Sequence, residues 1–268
     1  MTRIHVKTLP AMLALLAVSF IAHADDPKPQ PALRGTLDVP QSTAQLRQAE
    51  EDYRLGLRAA EGVGVPRDYL VAAKYYQKAA DKGYVPAQYN LAFLYENGLG
   101  VKQDYAQAAV WYRKAADQGD PEAQNNLGTL YSTGQGVPLD YGEAVRLYRL
   151  AAAQEDLEGL TNLASMYLQG RGVGRDTAQA LQLFAKAAER GYAVAQNNLA
   201  LMYANGEAVK RDFVRAYAWL DLAAEEIPKA GVVRDAVAKE MTPAQIAQAR
   251  QFAIQKRKEI SEKEGKKP

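Results

Sequence analysis

The chain repeats one 36-residue pattern five times, over residues 49–84, 85–120, 121–156, 157–192 and 193–228. The clearest part runs from Tyr95 to Tyr105, YENGLGVKQDY. It returns as AAEGVGVPRDY (59–69), YSTGQGVPLDY (131–141), YLQGRGVGRDT (167–177) and YANGEAVKRDF (203–213). The seventh position is always Leu (Leu55, Leu91, Leu127, Leu163, Leu199). The seventeenth is always Val and the twentieth always Asp (Asp68, Asp104, Asp140, Asp176, Asp212), while positions 24, 31 and 32 are always Ala. A period of this length means an array in which each unit buries its apolar face only by stacking on its neighbours.

Each unit reads as two helices. In 85–96 the apolar or small residues Ala87, Leu91, Ala92, Leu94 and Tyr95 fall on one helical face. In 105–118 Ala108, Ala109, Trp111, Tyr112, Ala115 and Ala116 do the same. No segment of any length alternates at period two, so the chain is expected to be all-α. The turn between the helices follows from its chemistry. Gly98 ends the first helix in a left-handed conformation that a Cβ disfavours, and Gly100 keeps the turn tight. Val101 plugs the space between the helices. Asp104 caps the second helix, with Gln107 three residues on completing a capping box; Asp140 with Glu143 and Asp176 with Gln179 repeat it.

The run Gly-x-Gly-Val-x-x-Asp, followed by YAQAAVWYRKAADQG (105–119), resembles the Sel-one-like repeat, a longer relative of the tetratricopeptide repeat. The resemblance covers 49–228. It implies a right-handed α-solenoid of five helix-turn-helix repeats, a tetratricopeptide-like superhelix. Departures are mild: Ala59 stands for an aromatic residue, and Ala208, Ile227 and Glu155 stand for glycines.

The ends differ in kind. Residues 1–24 carry Arg3 and Lys7, an apolar run of 12 residues (11–22) and a small-x-small end, AHA, which is the layout of a secretory signal peptide. The run is shorter than the roughly 20 residues a membrane span needs. Residues 25–41 read as a disordered linker, with four prolines in 25–40. Residues 229–260 are expected to form C-terminal capping helices over the last repeat, and 261–268 a charged tail. Ser42 with Gln45, and Thr242 with Pro243 and Gln245, mark the starts of the two flanking helices.

Removal of residues 1–24 takes both histidines (His5, His23) and two of the 33 Lys and Arg. The remaining 31 balance 31 Asp and Glu, and the whole chain holds no cysteine. His-based triads, Cys–His pairs and the usual zinc, copper or iron–sulfur ligands are therefore excluded from the mature chain. A neutral balance argues against nucleic acid as a partner. No cofactor and no metal are expected. None of Ser42, Ser132, Ser165 and Ser261 has a Lys three residues on, so the Ser-x-x-Lys nucleophile is missing too. The Gly-x-Gly pairs lack the strand before them that a phosphate-binding loop requires.

The variable positions of the first helix carry the functional expectation. Positions 5, 9 and 12 point away from its apolar arc, and in tetratricopeptide-like stacks this helix lines the concave surface, so the resemblance implies that they face a groove. The candidate groove residues are Tyr53, Leu57, Tyr89, Phe93 and Glu96 at one end, then Asn125, Thr129, Ser132, Thr161 and Ser165. Position 6 adds Asn90, Asn126 and Asn162, either as an amide ladder for a peptide backbone or as bonds to a neighbouring turn. Tyr53, Leu57, Tyr89 and Phe93 are expected to form one exposed apolar patch. The function expected is that of an exported, monomeric, non-enzymatic repeat protein binding a protein or peptide as adaptor, scaffold or regulator. The periplasm of a Gram-negative bacterium is the expected compartment, with secretion as the variant. A cell-wall hydrolase or glycan-binding protein is the alternative.

Overall fold

A computed structural model describes residues 44–263 and Gly265. The expected signal peptide, linker and Ser42 cap lie outside the described residues, as does most of the charged tail. All regular structure among the described residues is helical: α1 (Ala44–Glu61), α2 (Tyr69–Asp81), α3 (Val85–Asn97), α4 (Tyr105–Ala116), α5 (Pro121–Thr133), α6 (Tyr141–Ala153), α7 (Leu157–Gln169), α8 (Thr177–Ala188), α9 (Ala193–Asn205), α10 (Phe213–Ala223), α11 (Pro228–Ala238) and α12 (Pro243–Lys263). The helices fall into two compact units. One carries α1–α7 and ends at Arg175; the other carries α8–α12 and begins at Asp176.

The repeated turn is built by three devices. First, Gly98, Gly134, Gly170 and Gly206 close α3, α5, α7 and α9 with left-handed φ angles of 67°, 70°, 68° and 75°. Second, each turn aspartate accepts a hydrogen bond from the amide three residues on: Asp68 from Val71 (3.0 Å), Asp104 from Gln107 (3.0 Å), Asp140 from Glu143 (3.0 Å), Asp176 from Gln179 (2.9 Å) and Asp212 from Arg215 (2.9 Å). This satisfies one of the orphan donors at the start of each second helix. Third, the aspartate's own N–H crosses the turn to a carbonyl nine residues back: Asp68 to Ala59 (2.8 Å), Asp104 to Tyr95 (2.9 Å), Asp140 to Tyr131 (3.0 Å) and Asp212 to Tyr203 (2.9 Å). At Asp104 and Asp140 the expected capping boxes are corrected by this bond. The amide that a Gln or Glu would have reached already serves the first helix. A reciprocal box forms at Thr242 and Gln245, where no such crossing bond is made (2.8 and 3.3 Å).

The second turn glycine has a different role from the one expected. A Cβ on Gly100 would lie 2.2 Å from the carbonyl carbon of Tyr69, at the start of the preceding repeat's second helix. Gly136 meets Tyr105, and Gly172 meets Tyr141, at the same 2.2 Å. The glycine lets one turn seat against the backbone of the repeat before it. Gly64, in the first repeat, has no such neighbour; its nearest atom is an Arg58 side-chain nitrogen at 3.5 Å.

The core repeats as the turn does. Tyr76, Tyr112, Tyr148 and Phe184 hold one position of the second helix and are almost wholly buried. Small residues face them. A Cβ on Gly56 would meet the Tyr76 ring at 2.6 Å, and one on Gly128 the Tyr148 ring at 2.8 Å. The invariant alanines let helices approach closely: Ala72, Ala108, Ala144, Ala180 and Ala216 are all fully buried. At the C-terminal end α11 and α12 both pack on α10, with Trp219 edge-on to Phe252 at 6.3 Å. α12 runs three residues past its expected end at 260. Ion pairs hold it, Arg257 with Glu225 and Asp221, and Lys256 and Lys263 with Glu189. No described helix is long and apolar enough to cross a membrane.

Candidate functional site

Within residues 44–175 the first helices of successive repeats, α1, α3, α5 and α7, are tied to one another by side chains and so share a layer. Asn90 donates to the Tyr53 hydroxyl (3.2 Å), Asn126 to the Tyr89 hydroxyl (3.5 Å) and Asn162 to Asn125 Oδ1 (2.8 Å). Each bond joins position 6 of one repeat to position 5 of the repeat before. Asn125 in turn donates to Glu158 (3.2 Å). The asparagines are thus used by the fold, reaching the preceding first helix rather than a turn.

That ladder corrects the expectation for position 5. Asn125 is 2% exposed and Thr161 4%, and Asn90 at position 6 is buried as well. A helix wheel drawn for one hairpin places position 5 outside. At Asn125 the neighbouring first helix reaches it through Asn162 and Glu158, so the buried arc there is wider than one hairpin requires. Thr161 spends its hydroxyl on the Leu157 carbonyl (2.7 Å).

The expected exposed apolar patch is also corrected. Tyr53, Leu57, Tyr89 and Phe93 are half-buried and packed against the core. Tyr53 lies 5.1 Å from the Tyr84 ring and 5.7 Å from that of Tyr76, and Tyr89 lies 5.7 Å from Tyr112. Their outer edges still line the layer, but removing Phe93 removes core contacts too.

Below them sits a polar floor. The Tyr112 hydroxyl donates to Glu96 (2.6 Å) and accepts from Asn126 (3.2 Å). The Tyr148 hydroxyl is shared by Thr129 (3.2 Å) and Ser132 (3.1 Å). Ser165 turns its hydroxyl onto the Thr161 carbonyl (3.0 Å). Thr129, Ser132, Ser165, Asn126, Asn162 and Glu96 are all half-exposed. Burial pushes the Tyr53 hydroxyl up to about 12, and the nearby Tyr84 adds to it. Burial, then Glu122, Glu158 and Asp120, raises that of Tyr89 well above the usual range. Burial, then Glu96, does the same for Tyr112. These hydroxyls stay neutral donors and acceptors at any ordinary pH.

Two groups of residues escaped the sequence reading. Gln88 and Gln124 are buried and donate to the Ala80 and Ala116 carbonyls (both 3.2 Å), which end the preceding helices; Gln196 does so to Ala188 (3.3 Å). Their recurrence at position 4 was the available signal. Glu122 and Glu158, near the start of α5 and α7, also belong to the layer, and their signal was a single acid in each of α3, α5 and α7.

A layer of first helices with partly exposed side chains, backed by second helices and joined by a fixed turn, defines a helical repeat protein built to present a surface. The Sel1 repeat family model matches residues 52–84, 85–120, 121–156, 157–192 and 193–226. The chain belongs to the Sel1 repeat family, and its fold is the all-α solenoid class of helical-hairpin repeats. Repeats of this family generally mediate protein–protein interaction. Among solved structures it is similar to c5321, a protective antigen of uropathogenic Escherichia coli strains displaying an SLR fold (34% identity, TM-score 0.74), over 82% of this chain and 49% of that one. It is also similar to a Sel1 repeat protein from Oxalobacter formigenes (34% identity, TM-score 0.62), over 69% of this chain and 76% of that one. The chain therefore spans about half the length of the E. coli relative. No curated protein matches it.

Proposed function

We propose that this protein binds a protein or peptide partner on the layer formed by α1, α3, α5 and α7, as an adaptor, scaffold or regulator exported to the bacterial cell envelope. The observation that carries the reading is the composition of that layer. Aromatic edges at Tyr53, Tyr89 and Phe93 adjoin a half-exposed polar floor at Asn126, Thr129, Ser132, Asn162 and Ser165. Rigid aromatic side chains supply binding energy at low entropic cost, and fixed polar groups add specificity. The signal-like residues 1–24 support export. So does the E. coli relative, which is described as a protective antigen. The protein acts by binding, as a monomer, with no catalytic residue of its own.

The test is site-specific photo-crosslinking in envelope extract. A photoreactive residue at Leu57 or Leu168, both half-buried in the first-helix layer, should trap a discrete partner. The same residue at Val110 or Leu150, 47% and 41% exposed on second helices, should not. Crosslinks confined to Val110 and Leu150 would place binding on the other layer. Retention on isolated peptidoglycan with no protein adduct would make the protein a glycan binder.

A further inference from the structure

We infer that the partner segment received at the α1–α3 end of the first-helix layer is proline-rich and binds as an extended polyproline strand; this rests on the binding reading above. That end is two repeats long. Positions 5 and 9 are Tyr53 and Leu57 in α1 and Tyr89 and Phe93 in α3, whereas α5 has Asn125 and Thr129 and α7 has Thr161 and Ser165. Tyr84, just before α3, adds its ring 5.1 Å from that of Tyr53. Tyr53, Leu57, Tyr84, Tyr89 and Phe93 are thus half-buried against one core, each with an edge left accessible.

The hydroxyls of this end differ from those of the floor beneath it. Tyr112 donates to Glu96, and Tyr148 is bonded to Thr129 and Ser132. Tyr53 and Tyr89 accept from Asn90 and Asn126, and among the described residues neither donates to any group; nor does Tyr84. Burial holds the hydrogen on all three. The end therefore offers a row of donors to a partner that brings acceptors, and the backbone carbonyl is the acceptor every peptide carries. Peptide conformations differ in whether those carbonyls are free. A helix spends them internally. A β-strand pairs them along a sheet edge, and the described residues form no strand. A polyproline strand makes no internal hydrogen bonds, so its carbonyls stay open, and proline brings no N–H for the aromatic edges to leave unpaired. Its rings pack on aromatic faces, as they do in other aromatic-lined grooves. The repeat spacing agrees. The strand shows the same face every three residues, about 9 Å, and packed helices lie about 8–10 Å apart, so one turn of the strand matches the step from α1 to α3. No charge is called on: Glu50 and Arg54, the charges that act on Tyr84, are bound to each other.

The experiment uses the full mature chain and two fluorescein-labelled twelve-residue peptides: Pro-Gln-Pro four times over, and the same with alanine at every proline. Fluorescence anisotropy reads binding to the natural protein, to Y53F/Y89F and to Y75F, a control on α2; thermal melts verify that each variant folds. The proline peptide should bind at least tenfold more tightly than the alanine peptide. Y53F/Y89F should lose at least fivefold of that affinity and Y75F none. A second readout needs no tyrosine substitution and decides the matter if the double variant does not fold. A photoreactive residue at Leu57 should form an adduct with the proline peptide, and one at Leu168 should not. Equal binding of the two peptides, an unbound proline peptide, unchanged affinity in a folded Y53F/Y89F, or peptide adducts at Leu168 alone overturns the inference. If envelope proteins still crosslink at Leu57 and Leu168 in those cases, the binding reading survives without its proline rule; if none does, that reading has failed too. The chain carries a proline run of its own, Pro27, Pro29 and Pro31. A tenfold gain in affinity for the proline peptide in P27A/P29A/P31A would make that run the occupant and overturn the assignment to a separate partner.

Discussion

Repeat two (85–120) and repeat five (193–228) share the same turn and nearly the same core, yet the same three positions of their first helices do different things. In α3 positions 5, 9 and 12 are Tyr89, Phe93 and Glu96, all half-buried. In α9 they are Asn197, Leu201 and Ala204, all buried. The turn is local chemistry and is copied faithfully. The face beyond it depends on what surrounds each first helix in its own unit. A repeat therefore guarantees a hairpin but not a binding surface. In this chain α3 keeps the outer edges of these side chains accessible, while α9 has turned the same positions into core.

The largest expected effect tests how far the turns are alike. Gly100→Ala would force a Cβ to within 2.2 Å of the Tyr69 backbone at a φ of +68°, and it should cost more than about 3 kcal/mol from overpacking and left-handed strain together. Gly64→Ala, with open space, should show only the strain, about 1–2 kcal/mol. Equal losses in urea melts would mean the inter-repeat approach is not what selects glycine.

Next comes the face itself. Leu201→Ala should destabilise by about 2–5 kcal/mol, the range for a fully buried leucine. Phe93→Ala should cost less, about 1–2 kcal/mol, because only part of its ring is withdrawn from water. If Phe93→Ala proved the costlier, the two faces would not differ as described.

Alkaline pH should act on the unit that ends at Arg175. The hydroxyls of Tyr53, Tyr89, Tyr112 and Tyr148 are all raised, chiefly by burial, so the folded state favours their neutral form. That contribution is full below the unfolded tyrosine value of about 10 and is lost as pH rises from there through the folded values, about 12 for Tyr53. At the position of Tyr76, Tyr112 and Tyr148 the fourth repeat has Phe184, which cannot ionise. Chemical denaturation at pH 8 and near pH 11, followed by tyrosinate absorbance, should show the titration and the loss of stability together. Titration of all sixteen tyrosines at pH 10 without unfolding would contradict the burial.

Asp104→Ala and Asp212→Ala should each cost about 1 kcal/mol, as N-caps do, and by similar amounts, since both caps have one geometry. The smallest effect is Ala208→Gly. Ala208 holds a φ of 61° where other repeats have glycine. Relief of that strain, less the added freedom of the unfolded chain, should leave roughly 0.5 kcal/mol of stabilisation.

Much of this molecule was readable before any coordinates. The all-α class, the hairpin period, the left-handed Gly98, the Asp caps and the packed Tyr112 position each follow from residues within one repeat, because helix ends and turns satisfy their backbone groups locally. The candidate layer was legible in part. Its variable positions were found, and Thr129, Ser132, Ser165, Phe93 and Glu96 keep an accessible edge. The burial of Asn125 was not legible, because Asn162 and Glu158, which reach it, belong to another repeat, and a single-helix wheel takes no account of a neighbour.

What the sequence by itself determined is the hairpin: where each helix stops, how the next begins, and which small residues let them touch. What only the tertiary structure decided is how hairpins meet. It decided that Gly100 is glycine because of Tyr69 in another repeat, that Asn126 bonds Tyr89 across helices, and that Leu201 is core while Phe93 is an edge. The physical reason is range. Backbone hydrogen bonds and caps act within a few residues of chain, whereas burial is fixed by whichever surface arrives from 36 residues away.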